Sequence, residues 1–278
     1  MDRFATTPAG TLRYRVDGPA DAPAVLMSNS LGTTLELWDA QVEEWSRTCR
    51  VIRYDTRGHG KSSVGRATAP HRAGAMGTPP SGPPEYTIDD LGRDAVAVLD
   101  AAGAKTAHVC GISLGGLTAM WLGVNAPDRV HALIVANTAA RVGTAERWTE
   151  RVAKLRSEGM GAMADLAREN WFTERFRREH PDVVQRFHAM VAACPPDGYA
   201  GCCAALRDAD LRADITGIRA RTLVVGGDQD PSTPLAGSEE IQRSIAGARL
   251  VVFPCAHLSN VERAEEFSQE GVAFLGAK

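Results

Sequence analysis

No run of the 278-residue chain approaches the roughly 20 apolar residues that a membrane-spanning helix needs. The opening Met1-Asp2-Arg3-Phe4 also lacks the apolar core of a secretory signal, so a cytoplasmic location is the default expectation. Positive charge is not in excess: the formal charge is −3, and no basic tract interleaved with aromatics occurs. A nucleic acid or an anionic membrane surface needs a concentrated basic face, so neither is an expected partner. The six cysteines, Cys49, Cys110, Cys194, Cys202, Cys203 and Cys255, show no zinc-site spacing, and several sit in apolar contexts. They read as reduced core thiols, and neither a metal nor a cofactor is implied. Internal repeats are missing as well.

The composition that remains is that of an ordinary soluble globular protein, 44% hydrophobic and 23% charged. Its length suits one doubly wound α/β unit with an inserted subdomain. The chain is organised around Gly111-Ile112-Ser113-Leu114-Gly115-Gly116. An apolar strand-like run, Thr106 to Cys110, precedes it, and helix-like spacing over Leu117 to Val124 follows. A serine between strand end and helix start, with glycines two residues to either side, is the nucleophile-elbow arrangement. The glycines stand where a Cβ would strike neighbouring backbone, and the strained turn holds the Ser113 hydroxyl in the open.

Taken in order, Phe4 to Val16 suggests an opening hairpin. Ala24 to Met27 reads as a strand running into the polar loop Ser28-Asn29-Ser30-Leu31-Gly32-Thr33. Leu35 to Trp45 carries helical spacing, and Arg50 to Tyr54 is the next strand. Its exit, Asp55 to Ser62, holds His59, which reads as a loop histidine bonded to its neighbours rather than as a catalytic base. Val64 to Glu85 is a break rich in proline and glycine, without periodicity, and is expected to be a mobile loop. Thr87 starts a helix that Gly103 stops. After the strand Ala132 to Ala136, strand signals give way to helical ones: Arg147 to Arg156, Met160 to Phe172, Asp182 to Ala193 and Tyr199 to Leu206. This block, residues 139–213, is expected to cap the ligand edge of a core made of residues 1–138 and 214–278, with Trp148, Trp171 and Phe172 packed between them. Thr222 to Val225 and Leu250 to Phe253 are the last strands, and Val261 to Leu275 closes the chain as a helix.

A serine hydroxyl becomes a nucleophile when an imidazole takes its proton and a carboxylate holds that imidazole in the right tautomer. The order serine, acid, histidine, each after a strand, is supplied by Ser113, Asp230 and His257. Asp228 is a rival acid, but the prolines of Asp230-Pro231-Ser232-Thr233-Pro234 fix a turn able to aim Asp230 back at the sheet. The backbone N–H groups of Leu114 and Leu31 are the expected oxyanion donors.

With these residues in place, the chain resembles the α/β-hydrolase superfamily: a mostly parallel twisted sheet flanked by helices, with an inserted helical cap. More narrowly it resembles the 3-oxoadipate enol-lactonases of aromatic-acid catabolism. The resemblance runs through Ser28-Asn29-Ser30-Leu31-Gly32-Thr33, Arg53-Tyr54-Asp55-Thr56-Arg57-Gly58-His59-Gly60 and the elbow. It continues through Asn137-Thr138-Ala139-Ala140-Arg141, Cys202-Cys203-Ala204-Ala205-Leu206-Arg207-Asp208 and Ala256-His257-Leu258-Ser259-Asn260-Val261-Glu262. It implies a cofactor-free enzyme that opens a small anionic enol-lactone through an acyl-enzyme on Ser113. The substrate carboxylate then calls for a cation, with Arg141 the candidate, and Trp148 is the candidate wall of the pocket. Val64 to Glu85 is longer than that family's connection and leaves the sheet near the site. Two other functions share these residues. One is a carboxylesterase, thioesterase or carbon–carbon bond hydrolase with the same triad; the other is a non-catalytic ligand receptor, against which the intact serine, acid and histidine speak.

Overall fold

The computed structural model describes residues 1–65 and 84–276. Most of the proline- and glycine-rich segment Val64 to Glu85, and the mobility expected of it, lies outside the described residues. Eight strands form one sheet: β1 (Arg3–Thr7), β2 (Gly10–Asp17), β3 (Ala24–Ser28), β4 (Arg50–Tyr54), β5 (Ala107–Ile112), β6 (Val130–Ala136), β7 (Arg221–Gly227) and β8 (Arg249–Phe253). Their order is β1-β2-β4-β3-β5-β6-β7-β8. The β1–β2 hairpin pairs antiparallel and joins β4 antiparallel, and all other pairings are parallel.

The strand sequences explain this arrangement. Ala24 to Ser28 is buried throughout, and β5 and β6 carry near-continuous apolar runs. Such runs suit parallel strands covered on both faces by helices. The hairpin strand β1 instead exposes Arg3, Phe4 and Thr6 and buries Ala5, as an edge strand with one wet face should. The helices of the core are α1 (Asp39–Trp45), α2 (Ile88–Ala101) and α3 (Leu114–Asn125). Thr87 caps α2 through a reciprocal capping box with Asp90. The helix α3 begins immediately after Ser113, three residues earlier than its apolar spacing suggests, and ten of its twelve residues are buried.

Between β6 and β7 the chain forms α4 (Ala145–Trp171), α5 (Glu174–Glu179), α6 (Pro181–Ala192) and α7 (Pro196–Asp208). The two helical runs expected over Arg147 to Phe172 belong to α4, which is interrupted at Gly159 by a non-helical φ of 76°. These helices pack on one another through Leu155, Met163, Val184, Phe187 and Val191, and Phe172 meets Phe187 at a ring separation of 5.7 Å. The chain closes with α8 (Leu235–Ser244), α9 (Ser259–Glu262) and α10 (Ala264–Gly276). The single closing helix expected over Val261 to Leu275 is thus divided, at Arg263, whose φ of −125° and ψ of 47° are not helical. The helix α8 escapes a reading by periodicity because only Ser238 and Ile241 of its ten residues are buried. No helix among the described residues is long and apolar enough to cross a membrane.

Candidate active site

The parallel strands end along one edge of the sheet, and four of their exits carry the residues singled out above: Leu31 after β3, Ser113 after β5, Asp230 after β7 and His257 after β8. In open α/β sheets this carboxyl edge is where ligands bind.

Ser113 is the single residue between β5 and α3 and has φ 59° and ψ −119°. That conformation costs an L-residue free energy and persists only when its surroundings hold it. Here they do. The Ser113 N–H donates to Ala136 O at 2.9 Å, while its carbonyl accepts from Gly116 N at 2.9 Å and from the Thr138 hydroxyl at 2.9 Å. The flanking glycines are demanded by close approach. A Cβ on Gly111 would lie 2.0 Å from Gly115 O, and one on Gly115 would lie 2.1 Å from Ser28 O.

His257 and Asp230 are buried together. His257 Nδ1 lies 2.8 Å from Asp230 Oδ2. The turn Asp230-Pro231-Ser232-Thr233 folds its own N–H groups onto that carboxylate: Ser232 N and Thr233 N donate to Oδ1 at 2.8 and 3.0 Å, and the Thr233 hydroxyl donates to Oδ2 at 2.7 Å. Burial raises the Asp230 carboxyl, but the charge and hydrogen bond of His257 and the Thr233 donors outweigh it, and the group is held below the usual carboxylate range. An ionised Asp230 accepting from Nδ1–H leaves Nε2 of His257 free to take a proton. Asp228 is exposed, with Gln229 Nε2 3.2 Å from its Oδ1, and so is not the carboxylate on the histidine.

Asn137 completes the arrangement; the sequence marks it only by its place at a strand exit and in the Asn137-Thr138-Ala139-Ala140-Arg141 segment of the resemblance, and assigns it no role. It has a positive φ of 41°, and its Nδ2 donates to Asp230 Oδ2 at 3.2 Å and to Ala256 O at 3.1 Å. Its Oδ1 accepts the Ser259 hydroxyl at 2.5 Å. One amide therefore ties the acid loop to the histidine loop.

Ser113 and His257 line one narrow pocket together with Leu31, Trp148, Trp171 and Tyr199. Leu114 is the first residue of α3, so its N–H has no intrahelical acceptor. In the other loop, Gly32 N donates to His59 Nε2 at 2.9 Å and Thr33 N donates to Ser30 O at 3.2 Å, which commits the two N–H groups that follow Leu31.

Arg141 lies elsewhere. It is exposed, and its Nη1 is 3.5 Å from Asp210 Oδ2, outside the pocket that holds Ser113. The cations of the pocket are Arg147 and Arg151, one turn apart on α4, with guanidinium groups 5.8 and 5.4 Å from the Trp148 ring centre. Arg147 donates to Ser232 O at 3.3 Å, and Arg151 donates to the Tyr199 hydroxyl at 3.3 Å. Neither forms an ion pair with a carboxylate among the described residues. Burial and the charge of Arg151 pull the Arg147 guanidinium down from its ordinary value, against the opposing charge of Asp230. Trp148, also in the pocket, is fixed by its indole N–H on Val142 O at 2.6 Å.

No group of three or more metal-ligating side chains gathers among the described residues. All six cysteines are free and buried, and burial raises the thiols of Cys110, Cys202 and Cys255.

Residues 23–264 match the family described as the alpha/beta hydrolase fold. The chain is 40% identical to 3-oxoadipate enol-lactonase 2 of Acinetobacter baylyi over 257 residues, 92% of this chain and 90% of that one. Among solved structures it resembles the enol-lactonase from Burkholderia xenovorans LB400, at 38% identity and a TM-score of 0.90, covering 99% of this chain and 100% of that one. A hydrolase from Pseudomonas aeruginosa is similar at 43% identity and a TM-score of 0.90, with 99% and 98% covered.

Proposed function

The chain belongs to the alpha/beta hydrolase fold family and is a hydrolase of esters or lactones, and from that premise we propose that it opens 3-oxoadipate enol-lactone to 3-oxoadipate. Ser113 Oγ attacks the lactone carbonyl while His257 Nε2 takes its proton, and Asp230 stabilises the imidazolium through Nδ1–H. The N–H groups of Leu31 and Leu114 receive the developing oxyanion. Collapse of the tetrahedral intermediate breaks the ring C–O bond, and His257 returns the proton to the leaving enol oxygen, which tautomerises to the ketone. Water activated by the same histidine then releases the acyl group. In this reading residues 139–213 serve as a cap, with Trp148 as one wall of the pocket.

The observation that favours an anionic substrate is the pair Arg147 and Arg151: two partly buried cations that line the pocket with Ser113, neither of them ion-paired to a carboxylate among the described residues. A substrate carboxylate satisfies that charge, and charge-assisted bonds of this kind contribute about 1.5–3 kcal/mol. The test compares Arg151→Leu with the unmodified enzyme on the enol-lactone and on a neutral aryl ester. The lactone kcat/KM is expected to fall roughly 10- to 100-fold, while the neutral ester changes less than about threefold. Equal losses on both substrates, or an unmodified enzyme that prefers the neutral ester, would defeat the assignment and favour a general esterase.

A further inference from the structure

Glu262 ends α9, five residues after His257, and its carboxylate joins two parts of the molecule that the reaction needs in register. Oε2 accepts the N–H of Ala256, the residue before His257, at 3.3 Å. The same oxygen accepts the N–H of Thr173 at 3.1 Å, and Oε1 accepts the Thr173 hydroxyl. Thr173 in turn caps α5, its Oγ accepting from Phe176 N at 3.2 Å. Beside this carboxylate a second bond crosses the same junction, from Leu258 N to Trp171 O at 3.1 Å. The segment Trp171 to Thr173 at the end of α4 is therefore fastened to Ala256 to Leu258, on both sides of the histidine. Trp171 and His257 both line the pocket, with ring centres 6.5 Å apart.

We infer that Glu262 is a positioning residue that couples the seating of the helical block to the alignment of His257. This rests on the assignment of His257 as the base in the proposed reaction. Two of the three donors to the carboxylate belong to Thr173, so movement of the α4–α5 junction away from the sheet strips Glu262 of most of its partners. A half-buried carboxylate left with one N–H turns toward water, or toward the neighbouring Arg263, and releases Ala256. The histidine loop then loses one of its supports and is left with the Asn137 amide on Ala256 O, Gln229 N on Cys255 O and Asp230 on His257 Nδ1. Return of the block restores all three donors at once. The base is thus held in line when the pocket wall that includes Trp171 is in place, which confines the reaction to enclosed substrate.

The test is a double-mutant cycle on Glu262→Gln and Thr173→Val, read as kcat and KM on a neutral aryl ester and as the rate of Ser113 labelling by a fluorophosphonate, well below the melting temperature. Glutamine keeps the size of the side chain but turns an N–H toward donors, and valine removes the hydroxyl while keeping its shape. Each single variant is expected to lower kcat and the labelling rate 10- to 100-fold with KM within threefold, and Thr173→Ser is expected to restore most of the loss at 173. The double variant should fall no more than about threefold below the worse single variant, because both changes cut one linkage. Multiplying losses, or unchanged kcat with a lowered melting temperature alone, would overturn the coupling and leave a structural tie. If Glu262→Gln fails to fold, Thr173→Val and Thr173→Ser carry the same comparison. An unmodified enzyme that resists the phosphonate, or a Ser113→Ala variant with full turnover, would instead sink the serine mechanism beneath it.

Discussion

His59 offers the sharpest quantitative test, because its environment fixes its protonation state and its partner is the loop that carries Leu31. The ring is buried, with Nε2 accepting from Gly32 N at 2.9 Å and Nδ1 donating to Arg57 O at 3.1 Å. Only the neutral ring can accept that N–H, and burial pushes its pKa from the ordinary 6.5 down to about 4. The sign follows from linkage. As the pH falls below 6.5 the unfolded chain binds a proton that the folded chain refuses until about pH 4, so stability drops across that window and levels off beneath it. With these two values the loss amounts to roughly 2–3 kcal/mol at pH 4.5 relative to pH 7.5.

The measurement is urea unfolding followed by tryptophan fluorescence at pH 7.5, 6, 5 and 4.5, for the protein and for His59→Gln. Glutamine can offer an oxygen to Gly32 N but does not titrate. It is expected to be less stable at pH 7.5, and the gap between the two proteins should shrink by roughly 2–3 kcal/mol on going to pH 4.5. Every other titrating group is common to both and cancels. A gap that stays constant across the range would show that His59 is not held neutral, and would remove the argument that a fixed tautomer anchors the Leu31 loop.

Two further substitutions probe the same edge of the sheet. Asp230→Asn should lower kcat on the order of 10³- to 10⁴-fold, since an amide cannot stabilise the imidazolium on Nδ1, whereas Asp228→Asn, at an exposed position, should stay within about twofold; steady-state kinetics showing the larger loss at 228 would reassign the acid. Gly111→Ala should prevent folding or remove several kcal/mol, because its Cβ would sit 2.0 Å from Gly115 O, and a soluble variant with a melting temperature within about 2 °C would show that the elbow is more open than described.

The sheet and the residues gathered at its carboxyl edge are legible because each is announced by local chain chemistry. Continuous apolar runs such as Ala24 to Met27 and Ala132 to Ala136 report burial on both faces, and a Gly-x-Ser-x-Gly turn forces its serine outward whatever surrounds it. The prolines around Asp230 mark a turn whose N–H groups converge on the carboxylate, which separates it from Asp228 two residues earlier. The cations were not legible in the same way. Arg147 and Arg151 stand on an amphipathic helix where arginine ordinarily faces water, and periodicity tells which residues share a face but not what lies across from it. Arg141, the cation that the resemblance suggests for the substrate carboxylate, is exposed and lies beside Asp210. The contacts of Asn137 and Glu262 escape for a related reason: each side chain bonds to a segment over 80 residues away in sequence.

That division has a physical origin which bears on how the enzyme can change. The groups assigned to bond making and breaking all stand at strand ends and are held within and between the strand-exit loops: by the strained φ of Ser113, the Asp230 turn, the Gly32 to His59 bond and the Asn137 amide. Shifting any of them disturbs the sheet itself. The groups facing the rest of the pocket, Trp148, Arg151, Trp171 and Tyr199, belong to α4 and α7, whose packing is largely among the inserted helices. They can be exchanged at little cost to the sheet, so substrate preference is free to vary while the reaction stays the same. The limit on that freedom is the junction where Trp171 and Thr173 meet Leu258 and Glu262. There a change in the helices reaches the histidine loop directly, so substitutions near residues 171–173 should depress kcat on every substrate, whereas those at 148 and 151 should sort substrates from one another.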